Sequence, residues 1–213
     1  MKLGYNYLFI TSAILCLLYF IGFFRFGKSY KIFTLYITGV LVIDFVASNL
    51  WDWFKIYNIF TSHFYDLFQF VLLSYFYATL FQTKKQLFIV YILLIILPIF
   101  LVSRYLFNPQ IFFEYSLLET YLTTMPIIIY ATMHLYNNLG QRTEFYYANL
   151  GLMLYLFGST FVFLFFELNS FFDRNDTFYK NLSTINLTLQ FIKFGFFFYQ
   201  WKLIYFNKDG RYN

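Results

Sequence analysis

Residues 87–107 read LFIVYILLIILPIFLVSRYLF, and the one charge among them, Arg104, stands near the far end. An α-helix needs about 20 apolar residues to cross about 30 Å of hydrocarbon. The surface helix of a soluble domain would instead carry a polar face. Six further runs of similar length share the chain, at 5–24, 32–51, 59–81, 115–136, 146–168 and 182–205. Short connectors between the runs hold most of the charge. The expectation is an all-α polytopic membrane protein, a bundle of seven transmembrane helices that forms one domain over residues 1–213.

Composition agrees. Hydrophobic residues make up 61% of the chain and charged residues 12%, against roughly 45–50% and about 25% in soluble domains. The 34 Phe and 22 Tyr read as lipid-facing and packing surface rather than as an aromatic ligand cage. Cys16 is the single cysteine, so neither an intramolecular disulfide nor a thiolate metal cluster is available. A net charge of +5 would suggest nucleic acid in a soluble protein. Here the bases sit at span ends, where they orient the helices, and no nucleic-acid partner is expected. The expected surroundings are the lipid bilayer of a bacterial inner membrane, with another membrane protein or a second copy of the chain as partner.

Orientation follows from the bases in the connectors. Arg25, Lys28, Lys31, Lys84, Lys85, Arg142, Lys202, Lys208 and Arg211 fall on one side. Lys2, Lys55, Arg104, Arg174 and Lys180 fall on the other. The first set is the larger and marks the cytoplasmic side, which gives an N-out, C-in topology. The first run carries Lys2 but no small-x-small cleavage site, so it reads as a retained span. The connector NSFFDRNDTFYKN, residues 169–181, is the longest on the outer side and the one expected there to recognise anything. Asn108-Pro109 marks a turn, and Pro98 and Pro126 should kink their helices. With no GxxxG pair, aromatic side chains rather than close backbone contact should join the helices.

Ionisable residues inside spans cost at least about 2.5–3.5 kcal/mol at a helix centre, so each needs an explanation. Asp44, His63, Asp66, Glu119, Glu167 and Lys193 are such residues. All but Lys193 fall in the outer half, and Lys193 falls near mid-depth. His63, Asp66 and Phe70 form a helical stripe flanked by Gln69, as do Glu119, Thr123 and Pro126. Asn186, Gln190 and Lys193 form another, and Asp44 aligns with Ser48. The expected cavity candidates are Asp44, His63, Asp66, Glu119, Asn186, Gln190 and Lys193, lining an outer-facing polar cavity for a ligand or ion. The alternative is a network that fixes helix register, such as Lys193 paired with Glu119 or Asp44. His63 by itself reads as an interfacial residue.

No catalytic residues, cofactor or metal site are expected. GxSxG, HExxH and phosphate-cradling glycine loops are absent. His63 and His134 belong to opposite ends of the membrane, which excludes a two-His metal site in one chain.

YITGVLVIDFVASNLW, IFTSHFYDLFQFVLLSYFY, EYSLLETYLTTMPIIIY, EFYYANLGLMLYLFGSTFVFLF and INLTLQFIKFGFFF together resemble a Bacteroidetes family of small seven-span membrane proteins of unknown function. The span-6 pattern carries most of it: aromatics before Asn149 and Gly151, then Tyr155, Gly158 and Phe163. Asp44, Glu119, Asn186 and Lys193 complete it. Members are often encoded near sensor histidine kinases, so the resemblance implies a sensory or signalling accessory role. Two other functions stay open on the residues alone. One is a pore-forming or ion-handling effector, homo-oligomeric and associated with defence; the other is a structural subunit of a membrane complex.

Overall fold

Helix breaks along the chain fall where local chemistry stops the backbone ladder, and seven α-helices result among the described residues. The computed structural model describes residues 2–139, 144–171 and 175–206, and these are all-helical, with no strand among them. The helices are α1 (Lys2–Ile21), α2 (Lys28–Phe54), α3 (Thr61–Leu80), α4 (Lys84–Phe107), α5 (Leu117–Asn137), α6 (Tyr146–Phe171) and α7 (Asp176–Phe206). Lys55 closes α2 in the left-handed region at φ 57°, its N–H returning to Trp51. Asn108 ends α4, and Pro109 opens a short 3-10 turn before α5. Ser116 caps α5 by accepting from the Glu119 N–H.

Each apolar run read from the sequence falls on a helix; several ends shift by a few residues, and two shifts are the largest. The run expected to begin at 32 begins four residues earlier, at Lys28. The expected outer connector 169–181 is mostly helix, because α6 continues to Phe171 and α7 begins at Asp176. Asn175 explains the second case: its Oδ1 accepts from the N–H groups of Thr177 at 3.0 Å and Phe178 at 3.1 Å. That is the N-cap bonding that starts a helix. Phe172, Asp173 and Arg174 of that connector lie outside the described residues, as do Arg142, Lys208 and Arg211 of the charge count.

Six helices close a ring. α1 packs on α2, α2 on α3, α3 on α5, α5 on α6, α6 on α7, and α7 back on α1. The fourth helix, α4, lies outside the ring against α3 and α5. One half of the ring, at the end holding the α1–α2 and α3–α4 connections, is filled by aromatic rings. Phe33 is fully buried there, its ring centre 5.0 Å from Phe197, 5.1 Å from Phe76 and 5.3 Å from Phe145. Tilted and edge-to-face pairs at such distances suit the ring quadrupoles. Some buried polar atoms in this half find partners across helices, while Ser74 Oγ, the Tyr130 hydroxyl and His134 Nδ1 have none. Tyr77 donates to Asn149 Oδ1 at 2.6 Å, and the Asn149 amide donates to the Ala131 carbonyl at 3.0 Å.

Close backbone contact is present after all. A Cβ placed on Gly151 would stand 2.6 Å from Phe196 Cβ and 3.3 Å from the Lys193 carbonyl oxygen. A Cβ on Gly158 would meet Leu189 at 2.7 Å. These glycines are seven residues apart, two turns of one face, so α6 offers α7 a notch that a search for GxxxG does not find.

The outside of the bundle is apolar. Phe88, Ile92, Ile95, Ile99, Leu106 and Phe107 of α4 are all exposed. Three helices are long and apolar enough to cross a membrane: Lys28–Phe54, Lys84–Phe107 and Tyr146–Asn169. Asn6–Ile21 of α1 is a shorter apolar helix. The third, fifth and seventh helices carry His63, Asp66, Gln69, Glu119, Asn186 and Lys193, and these polar residues lower their mean hydropathy.

Candidate ligand cavity

The half of the ring opposite the aromatic core is hollow. A cavity of about 530 Å³ opens there, with lining residues from all six ring helices and none from α4. Its size falls within the range of about 300–1,000 Å³ common to small-molecule sites. Asn58 and Ile59 of the α2–α3 connection line one end, and Tyr155 and Lys193 lie deeper. Periodicity places the walls. Ser62, Tyr65, Asp66 and Gln69 are spaced to share one face of α3, as Val40, Asp44, Ala47 and Ser48 share one face of α2.

Lys193 is 3% exposed, and its side chain borders the cavity. Its ammonium stands 3.9 Å from the centre of the Tyr155 ring and 5.1 Å from that of Phe194. Cation–π attraction of about 2 kcal/mol offsets part of the desolvation cost. Among the described residues, no carboxylate lies within 4.0 Å of that ammonium. Asp44, on the facing helix α2, is exposed to the same cavity. Its backbone carbonyl accepts from Ser48 at 2.7 Å. Asp66 is held more firmly, Oδ2 accepting from Thr120 at 2.8 Å. Along α7 the cavity meets Gln190 and Asn186, and the buried Asn186 Oδ1 has no hydrogen-bond partner.

The structure therefore gathers Asp44, Asp66, Asn186, Gln190 and Lys193 around one space. It does not bring His63 or Glu119 there. His63 Nδ1 and Glu119 Oε2 are 2.7 Å apart, with side chains 3% and 1% exposed. The other ring nitrogen of His63 lies 3.0 Å from the Glu114 carbonyl oxygen, and the Tyr105 hydroxyl donates to Glu119 Oε1. His63 is thus a buried partner of Glu119 rather than an interfacial residue, and neither pairing named under the alternative reading, Lys193 with Glu119 or with Asp44, falls within ion-pair distance among the described residues. Helix geometry supplies the reason. At about 100° per residue, His63 is rotated about 60° from Asp66 around α3, and Glu119 about 100° from Thr120 around α5. Both turn away from the cavity toward the seam where α3, α4 and α5 meet. Glu167 is exposed on α6.

Several lining residues carry no charge and drew no notice in the sequence as cavity residues. Tyr155 is the chief one, a tyrosine among 22 whose role depends on the lysine one helix away. Thr120 and Thr124 offered a usable signal, an i, i+4 hydroxyl pair beside Glu119, and both line the space. Among the described residues, no group of three or more His, Cys, Asp or Glu is placed to hold a metal ion. No protein-family model, curated protein sequence or solved structure matches this chain, so the resemblance noted above rests on its quoted residues alone.

Proposed function

We propose that this chain is a seven-span inner-membrane protein, N-out and C-in, that binds a small ligand in its outer-facing cavity and relays occupancy to a membrane partner. The observation that carries the reading is the pair Asp44 and Lys193. They have opposite charge, line one cavity and form no ion pair with each other. A network serving only helix register would bring such groups into contact, since an unpaired buried charge is costly. His63 and Glu119 do meet, and that pair fits the structural role.

The apolar outside of the bundle supports a lipid environment for all seven helices, because soluble proteins rarely leave such area bare. The aromatic half argues against a pore through a single chain: Phe33 packs on Phe76, Phe145 and Phe197 beyond the cavity. A ligand that prefers one arrangement of α2 and α7 would shift the bundle between states. The described connectors are too short to hold an output domain, and the reading assigns that role to a partner. The resemblance to proteins encoded near sensor histidine kinases suggests a kinase or receptor subunit.

Purification of the tagged protein from native membranes in mild detergent, followed by mass spectrometry, tests this reading. Reproducible recovery of a kinase or receptor subunit is expected, from wild type and from Asp44→Asn and Lys193→Met alike, with both variants losing the signalling response. A partner-free homo-oligomer that conducts ions in liposomes would contradict it.

A further inference from the structure

We propose that the cavity takes a small dipolar molecule, with an anionic group at Lys193, a cationic group at Asp44 and an apolar or aromatic body beside them. The proposal deepens the cavity reading and rests on it.

Four observations converge. Lys193 is a buried cation with an aromatic ring on one side and no carboxylate within ion-pair distance among the described residues. Asp44 supplies the opposite charge from another helix across the same space. A free anion would meet Lys193 but also Asp44 and Asp66; a free cation would meet both acids but also Lys193. A molecule bearing both charges answers both walls, and charge-assisted hydrogen bonds at each end would fix its direction. Second, the volume of about 530 Å³ is far more than one ion needs, given that a water molecule occupies about 30 Å³. Third, Asn186 and Gln190 extend the Lys193 stripe along α7, and the buried, unpartnered Asn186 Oδ1 is an acceptor in want of a donor. Fourth, Tyr65, Tyr155, Phe163 and Phe194 among the lining residues offer ring surface for an apolar body.

The test compares three probes of similar size on the full chain in phosphatidylglycerol nanodiscs, by equilibrium dialysis. Phenylalanine carries both charges, 3-phenylpropionate only the anion, and phenethylamine only the cation. Phenylalanine should bind at least about tenfold tighter than either analogue, one charge-assisted contact being worth about that factor. Lys193→Met should reduce phenylalanine to the affinity of phenethylamine, and Asp44→Asn to that of phenylpropionate. Equal binding by a single-charge analogue, or no binding of phenylalanine at millimolar concentration, overturns the proposal. The three-probe comparison on wild type stands even where a variant fails to fold. Discs doped with phosphatidylethanolamine separate two sources of the same chemistry. Unchanged phenylalanine binding supports a soluble dipole, and competitive loss supports a zwitterionic headgroup. Failure of the underlying cavity reading is read separately, as no labelling of Ser48→Cys by an impermeant thiol reagent.

Discussion

Glu119 and Asp44 are both acids in otherwise apolar helices, yet their surroundings differ in a way that should be measurable. Glu119 is 1% exposed and holds both His63 and Tyr105. Replacing it with Ala strands two buried polar groups, which should cost about 1–3 kcal/mol each and lower the melting temperature in detergent. Asp44 faces open space, and Asp44→Asn should stay within about 0.5 kcal/mol of wild type. Tyr155 offers a second contrast. Tyr155→Phe keeps a ring beneath the Lys193 ammonium and should cost little, whereas Tyr155→Leu removes it and should destabilise by about 1–2 kcal/mol. Differential scanning fluorimetry on the purified protein reads both pairs. The cost of an ionisable group in a span is legible from sequence, and that consideration singled out Asp44, Asp66 and Lys193 along with His63, Glu119 and Glu167, which do not line the cavity. Which charges meet was not legible. Partners depend on rotation about each helix axis, and the 60° between His63 and Asp66 decides which one joins the cavity and which is paired.

At the scale of elements, α6 and α7 approach each other closely at two glycines of α6. Gly151 lies against both Phe196 and the backbone of Lys193. Gly151→Ala should push α7 outward and cost about 1–3 kcal/mol by overpacking. Gly195 is the control, since nothing lies within 4 Å of a Cβ there. Gly195→Ala should be neutral or stabilising by up to about 1 kcal/mol through helix propensity. Thermal unfolding in the same detergent compares the two. Seven apolar runs in the sequence anticipated where helices would form, because hydrophobic length is a strong local signal. Their ends were less legible, as Asn175 illustrates: an asparagine in a polar stretch reads as loop until its carbonyl is seen capping α7. The notch at Gly151 and Gly158 escaped for a related reason, since the spacing of seven is invisible to a rule written for four.

The whole molecule has two unlike halves, an aromatic plug and a polar hollow, surrounded by apolar surface. Its proposed orientation rests on the surplus of Lys and Arg in the connectors at the plug end. With Cys16 replaced by Ser, a cysteine at Lys55 should react with a membrane-impermeant thiol reagent in intact cells, and one at Lys85 should not. The reverse pattern would put the cavity on the cytoplasmic side. The asymmetry was legible in the sequence as acids gathered at one end of four helices, but the closed ring was not. That α4 stands outside, and that α7 returns to α1, depend on packing that no single helix encodes. The most direct test places cysteines at Ser48, in the wall of the hollow, and at Thr34, fully buried at the level of the plug. The measurement is the rate of labelling by the impermeant reagent from the outer side. Ser48→Cys should label readily, more slowly once phenylalanine is added, and Thr34→Cys should stay silent. Labelling of Thr34→Cys would reveal a path through the plug, and silence at both positions a cavity closed to the outside; either result would contradict a ligand cavity that opens outward and ends in a solid core.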